Sequence, residues 1–498
     1  FGQNPSSCLI KNGQLMSFSH EERFNRLKGA LGMFPSLSLK WCLQQEKITL
    51  DEVDCIAVNW DCNKYPKDIL KNLIGFRMKS LFDSNKIKTK TGQSNLFSLF
   101  QYLNEFNPKI FKQRMMESIK EAGIKGSFKR VEFIDHHLSH AYQAYYHSPF
   151  NDALVLVADG HGEDNCVSGY QVRNNQFKKI LNYKVPFSLG WFYCGFTAYL
   201  GFHGNRDEGK MMGLAAYGEG RAQSNPWIER LDKIIKITAD GFELNPYYFK
   251  MGQNDFHPRY TNALVDFITS YEPDLVPVSV NEKCLINGIE QNKYLRDDYV
   301  DLAYAVQDKL ENALISLVNK MVEQTHEKNL CLAGGIFMNC KANGEIYRQS
   351  QIENIFIHPA SSDDGSSIGA ALYISQFFNQ PIKNPLKHVQ YGISFSNHEI
   401  EKALKTCGID YKLSTDIGLD AAKLINQEKI VGWFQGGAEM GARALGGRSI
   451  IASPIKEGIK EKINQQVKYR ETWRPYCPSL LAEYKDQYLN DTCESPFM

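Results

Sequence analysis

Two histidines and a set of aspartates carry the most distinctive chemistry in this chain. His136 and His140 stand four apart in Asp135-His136-His137-Leu138-Ser139-His140-Ala141. On a helix that spacing puts both imidazoles on one face, about one turn apart, where they can share one transition metal. His137 points elsewhere and is expected to be structural. The apolar run Val155-Leu156-Val157-Ala158 ends in Asp159-Gly160, and Ile355-Phe356-Ile357-His358-Pro359 leads into Ser362-Asp363-Asp364-Gly365. Open α/β folds place ligand chemistry just beyond the ends of apolar strands. Two histidines and two aspartates suit a divalent transition metal with open positions.

Phosphate-type chemistry lies elsewhere. Lys210, within the glycine-rich residues 190–218, is a candidate phosphate or substrate contact. Gly334-Gly335 follow the apolar run 329–333 and let backbone approach a ligand closely. With Asn339 and Asn343 on the next helix they can cradle an adenosine. Arg443, Arg448, Lys468, Arg470 and Arg474 form a local cationic set in a chain of net charge +1. Arginine forks suit phosphate and carboxylate.

These residues need elements to hold them. Residues 7–10, the two-residue turn Asn12-Gly13 and residues 14–18 spell a hairpin. A second hairpin series follows over 152–157, 166–172 and 177–185, the last two strands joined by Arg173-Asn174-Asn175-Gln176. Strands are also predicted over 53–58, 131–134 and 430–434, and helices over 34–45, 141–146, 301–327 and 397–406. Two hairpin series, each followed by helices, predict an α/β chain of two related halves. That is the layout of actin-like, duplicated ribonuclease H-like folds, whose central cleft holds a nucleotide. Residues 61–128 are expected to be helices and an insertion without chemistry, the charged residues 21–28 are as consistent with a solvated loop as with a functional segment, and 380–385 are expected to be a linker.

With 498 residues, 43% of them hydrophobic and 23% charged, the chain has an ordinary soluble composition with room for two to four domains. It lacks the basic surplus of a nucleic-acid binder, and no apolar run approaches the roughly 18 residues of a membrane span. Twelve scattered cysteines without a C-x-x-C pair are expected to be reduced residues of a cytoplasmic protein. No signal peptide is visible, although a chain that begins Phe1-Gly2 leaves a processed N-terminus open.

Eight stretches, EERFNRLK, DHHLSHA, VADGHGE, EGKMMGLAAYG, LAGGIFMN, HPASSDDGSSIGAAL, WFQGGAEMGARALGGRS and VKYRETWRP, together resemble the O-carbamoyltransferases of nodulation-factor and antibiotic biosynthesis. They follow the family order along nearly the whole chain. The resemblance implies an actin-like, metal-binding domain over 1–383, like that of tRNA threonylcarbamoyltransferases. It implies a YrdC-like domain over 384–498, incomplete at its C-terminal end. By motif, His136, His140, Asp159 and Asp363 match the family's metal ligands, with iron expected and zinc the alternative. Arg443, Lys468 and Arg474 match its contacts to carbamoyl phosphate and to ATP, which would come with magnesium. There are departures: Asn4-Pro5 stands where many members have His-Asp, Gly437-Ala438 replaces Arg-x before Glu439, Ala442 replaces a proline, and Gly447 replaces an asparagine.

The family chemistry runs in two steps. Carbamoyl phosphate and ATP give carbamoyladenylate in the YrdC-like domain, and the N-terminal domain passes the carbamoyl group to a hydroxyl. Activation is needed because the carbamoyl nitrogen donates into its carbonyl. Arg443, Arg448, Lys468 and Arg474 are suited to offset phosphate charge. His137 or His161 is the expected base for the acceptor hydroxyl. The expected partner is a small-molecule alcohol such as a sugar, glycoside or other natural product. Neither nucleic acid nor membrane is expected, and a homodimer is open. The competing functions are tRNA threonylcarbamoyl transfer, an actin-like kinase, and a nucleotide-sensing regulator.

Overall fold

Five strands form the sheet on which the candidate site is built. In this computed structural model β5 (Ala153–Gly162), β6 (Asn165–Arg173) and β7 (Gln176–Lys184) make an antiparallel meander. β10 (Asn329–Ala333) joins β5 in parallel, and β11 (Asn354–Ile357) joins β10 in parallel. The strand order is β11-β10-β5-β6-β7. The mixed sheet confirms the α/β class, and a meander followed by two helix-connected parallel strands is what one half of an actin-like fold requires. Residues 3–65, 67, 68, 71, 107–250, 258–278, 296–378, 383–489 and 493–497 are described. Much of the expected insertion and linker therefore lies outside the described residues.

β5 is apolar on both faces because helices cover both. Leu154, Leu156 and Ala158 pack with the long helix Asp297–Thr325 and with Leu189–Tyr199. Val155 and Val157 pack on the opposite side with His136–His147, here α1, and Asp363–Ser375, here α2. Alternation along one strand thus sorts two cores, as a period of two demands.

The two halves are not equal. The first half has the hairpin β1 (Ser6–Lys11) and β2 (Gln14–His20), whose Asn12-Gly13 turn has positive φ at both residues. It also has the parallel pair β3 (Ile56–Val58) and β4 (Val131–Phe133). No third meander strand joins them among the described residues, so the expected duplication is partial there. Two shorter antiparallel pairs, β8 (Ile235–Thr238) with β9 (Gly241–Leu244) and β12 (Val431–Phe434) with β13 (Arg448–Ile451), lie outside the central sheet.

Some boundaries moved for local reasons. α1 starts at His136 rather than at residue 141, because the Asp135 side chain caps it by accepting Leu138 N–H at 2.9 Å. The charged stretch 21–28 is not simply solvated. Glu21 is buried and accepts Leu37 N–H at 3.1 Å and Ser38 N–H at 2.8 Å, fixing the start of helix Ser36–Gln45. The glycine-rich stretch forms two helices, Leu189–Tyr199 and Glu208–Ala215.

α1 and α2 touch backbone to backbone. A Cβ on Gly369 would overlap the Ser139 carbonyl, and one on Gly365 would overlap the Ala360 carbonyl and the Gln143 amide. Gly369→Ala is expected to push the helices apart at a cost of about 1–3 kcal/mol. A thermal melt checks it, with Gly209→Ala, where nothing lies within 4 Å of the added carbon, as the neutral comparison.

Candidate metal centre

Three elements bring four donors together. The first two turns of α1 present His136 and His140, β5 presents Asp159, and the first residue of α2 presents Asp363. All four donor atoms lie within 4.8 Å of one another. His136 Nε2 is 3.5 Å from both Asp159 Oδ2 and Asp363 Oδ1, and His140 Nε2 is 3.4 and 3.9 Å from the same two atoms. The two Nε2 atoms are 3.2 Å apart. Ligand bonds of about 2.1 Å set tetrahedral neighbours about 3.4 Å apart, so one divalent ion fits among these atoms.

The surrounding hydrogen bonds suit that occupancy. His136 Nδ1 donates to the Asn59 carbonyl at 3.0 Å, which turns Nε2 towards the cluster. Asp159 Oδ2 is buried and makes no hydrogen bond. Burial works against charge on His136, yet the facing Asp159 and Asp363 carboxylates hold its pKa well above the usual imidazole range. Burial likewise opposes ionisation of Asp159, and the two histidines outweigh it, keeping the carboxyl well below its usual value. The two carboxylates thus favour positive charge on the imidazole that faces them.

A layer of aromatic and acidic groups backs the donors. His161 lies between Tyr65 and Trp191, with ring centroids 6.1 and 5.8 Å away and planes within 12° of parallel. Its Nδ1 and the Trp191 Nε1 are buried without a hydrogen-bond partner. Burial drops the His161 pKa to about 4, so the imidazole is neutral. His137 is fully buried, and its Nδ1 is 2.9 Å from Ser168 Oγ, as a structural residue would be. Glu163 was not singled out from the sequence. It is 1% exposed and accepts Asp61 N–H at 2.7 Å and His136 N–H at 3.1 and 3.2 Å. Burial and the Asp135 carboxylate push its own pKa up to about 8.

The double glycine adjoins this centre. Gly334 has φ of +106°, and a Cβ there would overlap the Ala158 carbonyl. A Cβ on Gly335 would sit 3.0 Å from Asp159 Oδ1. Asn339 is engaged within the protein: its Oδ1 caps helix Cys340–Gln349 at Ala342 N, and its Nδ2 donates to Gln307 Oε1 at 2.8 Å. Asn343 instead faces a cleft shared with Phe337, His358, Ala442 and Arg443.

The cationic set divides by role. Arg443 lines that cleft, next to the segment after Gly335. Arg448 is tied to the carbonyls of Gln435, Gly436, Gly447 and Ile393 and lies over the Phe434 ring, so it braces its loop. Glu439, the glutamate that follows Gly437-Ala438, steadies the same loop by accepting N–H groups of Leu445, Gly447 and Arg448. A Cβ on Gly447 would sit 2.7 Å from that carboxylate, which accounts for glycine there. Lys210 is paired with Asp207 at 3.1 Å and with Glu471 at 3.0 Å, so it links the N-terminal region to the segment that carries Lys468 and Arg474. Lys468 is exposed, and Arg474 is partly buried, 3.8 Å from Glu471.

An α/β sheet thus carries, close together at its strand ends, two histidines and two aspartates that could hold a metal ion. Residues 5–372 match the family described as carbamoyltransferase N-terminus, and residues 422–498 match carbamoyltransferase C-terminus. The chain belongs to the carbamoyltransferase family of enzymes. It is 32% identical to the uncharacterized protein sll1178 of Synechocystis, covering 99% of this chain and 76% of that protein. It is 29% identical to nodulation protein NolNO of Sinorhizobium fredii, covering all of this chain and 66% of that protein. The solved structure of HypF from T. kodakarensis is 10% identical over 54% of this chain and 39% of that one, with a TM-score of 0.27.

Proposed function

We propose that this chain is an ATP-dependent O-carbamoyltransferase. It takes the carbamoyl group of carbamoyl phosphate, through carbamoyladenylate, to a hydroxyl of a small-molecule acceptor. The observation that carries the reading is the convergence of His136, His140, Asp159 and Asp363 within 4.8 Å, next to a double glycine packed against Ala158 and Asp159.

The division of labour follows the two parts of the chain, 1–383 and 384–498. Arg443, Lys468 and Arg474 offset the phosphate charges while carbamoyl phosphate and ATP, with magnesium, react. Gly334 lets the chain turn tightly against Ala158, and Gly335 puts no side chain beside Asp159 where the adenylate would approach. The four protein donors would hold a divalent ion, iron first and zinc second, and the bound ion supplies Lewis acidity at a phosphate or carbonyl oxygen. Of the two candidate bases, His161 is the less deeply buried, and its pKa of about 4 makes it a weak base at neutral pH. It lies two residues beyond Asp159 on β5, with Nδ1 free of protein partners. Lys210 keeps the two parts in register through Glu471 rather than contacting the reacting groups.

Two assays on the purified full-length protein test this. Metal analysis is expected to find about one iron or zinc per chain. Incubation with ATP, carbamoyl phosphate and an acceptor alcohol is expected to release pyrophosphate and add a carbamoyl group to the acceptor. Metal-free protein that phosphorylates the alcohol instead would replace the reading with a kinase.

A further inference from the structure

We propose that Glu163 is a positioning residue for the metal centre, setting both the backbone and the ring orientation of His136. This rests on the reading of His136, His140, Asp159 and Asp363 as metal ligands.

Glu163 lies in the turn between β5 and β6, with φ of +37°, a conformation that non-glycine residues seldom adopt. A glycine would fit that backbone more easily but would bring no carboxylate. The carboxylate reaches two other segments at once. It accepts the His136 N–H at the start of α1 and the Asp61 N–H just after β3. The second bond matters because Asn59, two residues before Asp61, supplies the carbonyl that receives His136 Nδ1–H. One buried side chain therefore fixes the main chain of the ligand and the acceptor that sets its ring. Outer partners of this kind orient metal-binding imidazoles and tune affinity.

The join is closely packed, and Asn59 is held in addition by its amide on Ser366 Oγ. A Cβ on Gly162 would meet His136 Cδ2 at 2.6 Å and His137 Cδ2 at 2.8 Å, so the turn is pressed against both rings. Trp60 lies between Asn59 and Asp61 and packs on His136 at 4.9 Å and on His161 at 5.9 Å between centroids. Release of Asp61 would loosen this wall on the side away from the Asn59–Ser366 contact.

The test is metal affinity of the full chain, read by competition with a chelator, together with the visible absorption of the Co²⁺-loaded protein. Glu163→Ala is expected to weaken Co²⁺ and Zn²⁺ binding by about 10- to 100-fold and to change the Co²⁺ spectrum. Glu163→Gln keeps one accepting oxygen and is expected to restore most of the affinity and the wild-type spectrum. Hydrogen exchange of the metal-free proteins gives a second readout: peptides covering residues 59–62 and 134–138 are expected to exchange faster in Glu163→Ala. If both variants bind Co²⁺ as the wild type does, with the same spectrum, the inference is overturned. Equal loss in Glu163→Ala and Glu163→Gln, with an unchanged exchange pattern, also overturns it. Failure of the wild type itself to bind any divalent ion would instead overturn the reading on which it rests, while the exchange comparison still reports on the Glu163 brace. Should Glu163→Ala not fold, Glu163→Gln is judged alone, and any loss of affinity beyond about fivefold contradicts the expected rescue.

Discussion

His140→Ala and Asp363→Ala are each expected to lose stoichiometric metal and acceptor carbamoylation while leaving carbamoyladenylate formation nearly unchanged. Each removes one of four donors that lie within 4.8 Å, leaving three to hold the ion. Lewis-acid assistance is worth several kcal/mol, so the transfer step should fall by at least about a hundredfold. His140 is fully buried, and its truncation also opens a cavity. Asp363→Asn separates the two effects, because it keeps the volume and removes the charge. Metal content by elemental analysis, with pyrophosphate release and acceptor carbamoylation assayed separately, checks the prediction. A variant that retains full metal content takes its residue out of the ligand set.

Arg443→Ala and Lys468→Ala are expected to do the opposite: metal stays, and ATP-dependent pyrophosphate release stops. Arg443 faces the cleft that also presents Asn343 and the segment after Gly335. Removing one charge from a partly desolvated phosphate site costs on the order of 2–5 kcal/mol, or roughly 30- to several-thousand-fold in activation. Lys468 is exposed, so its loss should be the smaller of the two. Pre-formed carbamoyladenylate is expected to restore transfer in both variants, because the metal centre is untouched. If the adenylate fails to rescue a variant whose fold and metal are normal, that residue serves transfer or communication between the two parts.

Local signals in the sequence located most of the secondary structure around the centre. Helical spacing put His136 and His140 on one face, and apolar strands ending in carboxylates pointed to Asp159 and to the Asp363-Asp364 pair. Motif resemblance then singled out Asp363, whose Oδ1 does turn towards the histidines. Asp364 turns the other way, to His20 at 2.8 Å. Neighbours in sequence can thus serve different partners, and spacing alone does not sort them. Glu21, Glu163 and Glu439 stand in stretches that resemble the family, but the sequence concealed which distant segments they brace. Glu163, Glu21 and Glu439 act by accepting backbone N–H groups of distant segments, and a backbone acceptor leaves no residue-type pattern at the other end. Arg448 resembled a phosphate ligand because its glycine-rich setting looks the same whether a guanidinium meets phosphate or carbonyl oxygens. Asn339 was expected near an adenosine, but its helix-capping and Gln307 bonds depend on a contact 32 residues away.

The close approach of α1 and α2 fixes how the donors are spaced in the structure. Gly365 and Gly369 let α2 lie directly on α1, so the segments carrying Asp363, His136 and His140 are packed against one another. The Gly369→Ala variant should therefore lose metal affinity along with stability, unlike a substitution far from this join.

The most direct test of the central claim is anomalous diffraction from crystals of the full-length protein loaded with Fe²⁺, collected on both sides of the iron edge. One peak is predicted in the space bounded by His136 Nε2, His140 Nε2, Asp159 Oδ2 and Asp363 Oδ1, at about 2.0–2.2 Å from each. A loaded crystal whose iron peak lies elsewhere, with these four atoms still facing one another across an ion-free gap, would contradict the account.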